Sequence, residues 1–255
     1  MIATLRFRDR AYRADLDRPI DLSLPLHSGV DTVNCFYAPY FEASPVVMGD
    51  FIGSTAQGGP VNFLNVRLNP HGNGTHTECV GHISVEPFTI HECLQRFHFP
   101  AWLTSLYPQR LENGDRVLLP DSFAEALAGA TPCPALVVRT LPNDPGKRQR
   151  HYSGTNPPYL HPEAIDFLVE WGVIHLLIDL PSVDREEDGG QLLSHKAFWR
   201  YPNTETAGRL GCTITELIYV PDETPDGLYL LNLQIGSFEI DASPSKPVLY
   251  ALHPQ

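Results

Sequence analysis

Residues 162–180 constrain the fold of this chain more than any other stretch. Ala164, Phe167, Leu168 and Trp171 recur at the i, i+3, i+4, i+7 spacing of one buried helical face. Pro162 suits a first helical turn, where no N–H is needed, and Glu163 favours the positive end of the helix dipole. Gly172 supplies the stop. Residues 173–180 then form a nearly unbroken apolar run, as a strand covered on both faces requires. A helix that passes through a glycine into a buried strand is an α/β unit.

The same grammar recurs upstream. Residues 115–119 read as a strand, Asp121 or Ser122 caps a short helix through Leu127, and residues 134–138 form another apolar strand. The two ends of the chain differ. Residues 62–68, 213–220, 227–235 and 247–252 read as strands between Gly/Pro turns, and no helix is predicted in the first eighty or last forty residues. We therefore expect an α/β fold: one domain over residues 1–255, with a mixed central β-sheet, few helices and long loops. The 19 glycines and 24 prolines agree with the long loops.

Hydrophobic residues make up 42% of the 255 and charged residues 19%, enough for a sizeable core. The formal net charge of −12 repels phosphate backbones, so no nucleic-acid partner is expected. The densest basic run, Lys147 to Arg150, reads as a solvated loop, as does Arg185 to Asp188. No segment approaches the roughly 20 apolar residues of a membrane helix, and the N-terminal residues lack the apolar core of a signal peptide. Five scattered cysteines without a CxxC pair fit reduced thiols, and hence a cytoplasmic location.

The chemistry concentrates in residues 69–82, Asn-Pro-His-Gly-Asn-Gly-Thr-His-Thr-Glu-Cys-Val-Gly-His. His71, His76 and His82, three of the eleven histidines, fall within twelve residues together with Glu78. On an extended backbone His76 and Glu78 point to the same face. Imidazoles plus a carboxylate form the donor set of Zn²⁺, Mn²⁺ and Fe²⁺. Solvent-facing or capping histidines are the competing reading of the same spacing.

This stretch resembles the His-x-Gly-Thr-His-x-Asp-x-Pro-x-His signature of the cyclase-like metal-dependent hydrolases, which include bacterial kynurenine formamidase and isatin hydrolase. Gly74-Thr75-His76 matches its centre, and His82 stands six residues after His76, as the signature requires. Other landmarks follow in order: Asp21-Leu22-Ser23, Arg139-Thr140, the run from Ile178 to Asp184, His195, and Thr213 to Leu217. The resemblance implies a swivelling β/β/α fold and one or two divalent metals, Zn or Mn. It implies His71 and His76 as ligands of a first ion, a bridging Glu78, and His195 and Glu216 completing a second site. His82 is then the proton donor and acceptor. A dimer or tetramer of identical chains is implied as well.

Three departures mark a divergent branch. Asn73 is an extra residue that places His71 five before His76 rather than four. The signature aspartate is Glu78, whose arm reaches about 1.5 Å further. Val80 replaces the proline, with Cys79 and Gly81 beside it. The implied reaction is hydrolysis of an amide, formamide, lactam or lactone by a metal-activated water. An arylformamidase of tryptophan catabolism is the model case. No Gly-x-Ser-x-Gly elbow offers a serine nucleophile. Phe36 and Tyr37 lie where relatives place a pocket-lining loop, and can stack a planar, aromatic small-molecule substrate. The alternatives are a non-catalytic metal- or ligand-binding module of the same fold, and a cyclase or dehydratase. Of the other groups, His175 is expected in the core, Cys79 as a small buried residue, and Asp179 either at a site or holding the Pro-Ser turn.

Overall fold

The computed structural model describes residues 1–255. His98–Leu106, Ala135–Thr140, His175–Ile178 and Thr213–Glu216 lie side by side as parallel strands. Antiparallel strands extend both sides of this group. Gly227–Ile235 pairs with His98–Leu106, and Ala242–Pro254 pairs with Gly227–Ile235. His76–Glu78 pairs with Thr213–Glu216 on one side and with residues 242–244 on the other. Seven strands thus close into a mixed barrel. The expected mixed sheet with few helices forms, with closure added. A hairpin of Ile2–Phe7 and Arg10–Asp15 extends the far end of the last strand.

Side chains alternate between the two faces of the barrel wall, and each face has its own core. Ala101, Leu103, Ala135, Val137, Leu177, Leu231 and Leu233 fill the interior. Leu136, Val138, Leu176, Ile178 and Ile214 face outward and are covered by the helices Pro120–Ala126, Pro162–Trp171 and Leu193–Trp199. All six residues of Ala135–Thr140 are buried, as befits a parallel strand covered on both faces. The register Glu216 opposite His76 and Ile214 opposite Glu78 puts all four on the outward, helix-covered face. That register is what places the candidate site.

The Pro162–Trp171 helix forms as its sequence predicts, ending at Gly172 with φ 102°. Its cap is the His161 imidazole, which accepts the Glu163 N–H. The upstream helix, Pro120–Ala126, lacks the expected Asp121 or Ser122 cap, because Leu119 holds the cap position with no side-chain hydrogen bond. Strand 213–220 stops at Glu216, where Leu217 turns to φ 55°. The Lys147–Arg150 run is not wholly a solvated loop. It lies in a short 3₁₀ turn, and Lys147 is buried, its Nζ 2.7 Å from Asp179 Oδ2 and 2.6 Å from the Thr140 carbonyl. Asp179 therefore holds a buried ion pair behind the Pro-Ser turn. His175 is in the core, against Thr213 Oγ1 at 2.9 Å and the Phe99 ring. Sequence patterning missed the strand His98–Leu106 and the helix Leu193–Trp199. No helix is long and apolar enough to cross a membrane.

One segment stands apart from the core. Glu42–Pro45 pairs with Leu64–Arg67, and Val47–Met48 with Phe51–Ile52, forming a hairpin arm with Val47, Met48, Phe63, Leu64 and Val66 exposed.

Candidate metal centre

Each residue of the 69–82 stretch has a physical reason for its place. Pro70–Asn73 forms one helical turn, in which Asn69 Oδ1 accepts the Gly72 N–H and Asn73 Oδ1 accepts the Asn69 N–H. The extra residue is taken up inside this turn, and His71 still faces the cluster. Thr75 Oγ1 donates to the Leu217 carbonyl at 2.6 Å and accepts the Leu24 N–H at 2.8 Å, tying three distant segments together. At Gly74 a Cβ would stand 2.7 Å from Leu26 Cδ2, so a larger residue there would have to turn the Leu26 side chain aside. Thr77 and Thr215 join hydroxyls at 2.8 Å on the opposite face, pinning the register that brings His76 to Glu216.

The second contribution comes from the 181–199 region. Asp184 accepts the Ser194 N–H at 2.7 Å and the His195 N–H at 3.2 Å, so its carboxylate caps the Leu193–Trp199 helix. It also accepts from His195 Nδ1 at 2.5 Å. Trp199, fully buried and stacked on His195, donates to the Cys212 carbonyl. Glu216 Oε1 accepts the Val183 N–H at 3.0 Å, joining the same turn to the sheet.

The six residues named from the sequence as ligands or proton carrier all converge. Glu78 is central, with Oε2 3.2 Å from His71 Nδ1 and 3.9 Å from His82 Nε2, and Oε1 3.1 Å from His195 Nε2. Glu216 Oε2 lies 3.5 Å from His76 Nε2, and Oε1 4.0 Å from His195 Nε2. His76, Glu78, His195 and Glu216 are buried, while His71 and His82 are partly open to solvent. Sequence reasoning missed two members. Asp184 lay in a noted motif without a role, and Asp241 carried no signal at all. Asp241 Oδ2 stands 2.8 Å from His71 Nε2 and 3.2 Å from His82 Nδ1.

The electrostatics follow from this packing. Burial by itself would raise the Glu78 carboxyl, yet His82, His195 and His71 around it hold it well below the usual carboxylate range. Burial would likewise depress His195, but hydrogen bonds to Asp184 and Glu78 hold it well above an ordinary imidazole. His71 is also opposed by burial and lifted by Asp241 and Glu78, to about 10. Asp241 is lowered by its hydrogen bonds to His71 and His82.

A divalent cation fits these residues. His76 Nε2 and Glu78 Oε2 are buried with no hydrogen-bond partner, an arrangement that costs roughly 1–3 kcal/mol per group. Each histidine meanwhile has its outward nitrogen held by an oxygen: Gly74 O for His76, Asp184 for His195, and Asp241 for His71 and His82. Outward nitrogens fixed by oxygens, with the inward ones turned toward the Glu78 and Glu216 carboxylates, is the pattern of metal-ligating imidazoles. Donor atoms of His71, His76 and Glu78 lie within 4.8 Å of one another, as do those of Glu78, His82 and His195.

The two aromatic candidates part company. Cys35 N–H bonds to the Gly72 carbonyl, and Asn34 Nδ2 to the Ala38 carbonyl, anchoring residues 34–38 on the His71 turn. Phe36 lines a crevice with Ser182 and Asp184. Tyr37, 80% exposed, lies over Gly154 and does not line it.

Solved structures share this fold. A predicted metal-dependent hydrolase from Bacillus stearothermophilus superposes with a TM-score of 0.61 at 16% identity, covering 91% of this chain and 98% of that one. Isatin hydrolase A from Labrenzia aggregata, bound to benzyl benzoate, gives 0.62 at 19% identity over 92% and 93% of the two chains. A potential metal-dependent hydrolase with cyclase activity gives 0.62 at 17% over 92% and 98%. Residues 20–185 match the sequence profile described as "Putative cyclase", more than half of the chain. The chain belongs to the cyclase family.

Proposed function

We propose that this chain is a metal-dependent hydrolase that cleaves an amide, formamide, lactam or lactone bond of a small aromatic molecule. The observation that carries this reading is the pair of orphaned, buried donors, His76 Nε2 and Glu78 Oε2, among imidazoles whose outer nitrogens are already engaged. His71, His76 and Glu78 would hold one ion, and Glu78, His195 and Glu216 a second. Nitrogen and carboxylate donors suit Zn and Mn alike. A bound divalent cation supplies Lewis acidity and lowers the pKa of water from 15.7 to about 7.

The chain's own residues supply the rest. His82, its Nδ1 engaged by Asp241, keeps Nε2 on the Glu78 side of the ring. From there it accepts the proton of the attacking water and returns it to the leaving nitrogen or oxygen. Phe36, partly exposed on the loop anchored to the His71 turn, offers an apolar surface for a planar ring. Arylformamides, whose leaving group is an aromatic amine, are the first substrates to test. The binding-module alternative took its motive from the shifted His71 and the longer Glu78. Both side chains reach the cluster, which supports the hydrolase reading over the module.

The reading treats residues 1–255 as one functional unit. Five unpaired thiols suit a reducing cytoplasm. The exposed apolar hairpin arm supports a homo-oligomer, in which a second copy covers Val47, Phe63 and Val66.

Metal analysis of protein purified without added salts, joined to a formamide and lactone hydrolysis screen, tests the proposal. Expected are a bound divalent ion lost in His76→Ala and turnover lost in His82→Ala. A protein that takes up no divalent ion and keeps its stability in chelator would overturn it.

A further inference from the structure

Asp241 lies on the loop that enters the last strand, 159 residues from His82 in the chain. Its backbone is tied to the segment it serves. The Asp241 carbonyl accepts the Cys79 N–H at 3.0 Å, and the Ile240 carbonyl accepts the Ile90 N–H at 2.8 Å. Its Oδ2 then meets two imidazoles at once, His71 Nε2 at 2.8 Å and His82 Nδ1 at 3.2 Å. An ionised carboxylate only accepts hydrogen bonds, so both of those ring nitrogens carry the proton.

We infer that Asp241 is a positioning residue: one carboxylate oxygen fixes the tautomer and direction of both His71 and His82, turning His71 Nδ1 and His82 Nε2 toward Glu78. This inference rests on the metal-hydrolase reading of the site. A neutral imidazole has one N–H, and Asp241 takes it from each ring. With its Nε2–H held by Asp241, His71 keeps Nδ1, 3.2 Å from Glu78 Oε2, as the nitrogen that would give up its proton on binding a cation. His82 Nε2 is left unprotonated, as a proton acceptor must be. The two rings stand 4.3 Å apart, so a single acceptor aligns the ligand and the proton carrier as one unit. Asp184 does the same for His195, and the backbone carbonyl of Gly74 for His76. Asp241 completes the set. Because its side chain is one-third exposed, its contribution lies in direction more than in stability.

Two readouts on Asp241→Asn test this, with Asp226→Asn as a control carboxylate that pairs with Arg139 away from the cluster. The first is the His82 tautomer in metal-free protein, read by long-range ¹H–¹⁵N correlation. The second is affinity for Zn²⁺ and Co²⁺ by competition with a chelating dye. Loss of the fixed Nδ1–H form, with affinity weakened about 10–100-fold, is expected for Asp241→Asn alone. An unchanged tautomer, or an affinity within about threefold of wild type, would overturn the inference. Failure of the metal reading looks different: the wild-type protein itself then binds neither ion, while the tautomer still reports on Asp241. Should Asp241→Asn fail to fold, Asp241→Glu, which keeps the charge but moves the oxygen, takes its place with the same outcomes.

Discussion

A methyl group added at Gly81 probes how closely the His82 turn is built. A Cβ at this position would stand 1.9 Å from the Phe88 carbonyl oxygen and 3.3 Å from Cys79 Sγ. Real Cβ contacts rarely fall below 3.0 Å, so something must move by about 1 Å. Phe88 cannot easily yield, because its side chain packs against both hydrophobic cores. The 80–82 turn moves instead, and His82 is its last residue. Overpacking of this kind costs about 1–3 kcal/mol. At about 2–4 °C per kcal/mol for a chain of this size, Gly81→Ala should melt several degrees below wild type. An imidazole displaced by about 1 Å should also cost roughly 100-fold in turnover. Gly211→Ala is the matched control, since its Cβ meets nothing closer than the Cys93 carbonyl at 3.6 Å. Thermal unfolding by circular dichroism and hydrolysis of the best arylformamide from the screen read the two effects. A Gly81→Ala protein with the melting point and turnover of Gly211→Ala would refute the reasoning.

Four further outcomes are expected. Burial, with help from the Arg96 and Arg209 charges, depresses His175 from 6.5 to about 3, so the unfolded chain holds its proton more tightly. The associated stability is complete above 6.5 and is lost as pH falls toward 3, at about 1.4 kcal/mol per unit. Between pH ~7.5 and pH ~5 wild type should therefore lose about 2 kcal/mol of urea-unfolding stability relative to His175→Gln, which carries no such titration; an equal difference between the two proteins at both pH values would count against it. Lys147→Met strands the Asp179 carboxylate in the core and should cost about 3–5 kcal/mol, much of it recovered by adding Asp179→Leu, as denaturant midpoints would show. Asp184→Asn weakens both the helix cap and the hold on His195, so metal affinity should fall about 10–100-fold in the dye competition assay. Phe63→Asp, on the hairpin arm, should shift sedimentation toward the monomer without changing the far-ultraviolet spectrum.

Legibility followed the range of the interactions. The Pro162–Trp171 helix could be read because its face, its proline start and its glycine stop are all local. The 69–82 cluster could be read because four functional side chains lie within a dozen residues and their spacing matches a family signature. The Leu193–Trp199 helix could not. Its start is capped by Asp184, ten residues upstream, and its burial depends on Trp199 meeting His195 and the Cys212 carbonyl. The nine residues of His98–Leu106 lack a clean period because they are paired on both sides and bury both faces to different degrees. Lys147 shows the reverse error: a basic run signals solvent unless a distant buried carboxylate claims one member of it.

Local chemistry in the chain thus settled which residue types gather around Glu78, and the α/β grammar of residues 162–180. Tertiary structure decided the rest: barrel closure, the register setting His76 opposite Glu216, and the two carboxylates, Asp184 and Asp241, that aim the histidines. The reason is physical. A helix cap or a short motif acts through neighbours along the backbone, whereas an imidazole is oriented by whichever acceptor folding delivers to its outer nitrogen, at any separation in sequence.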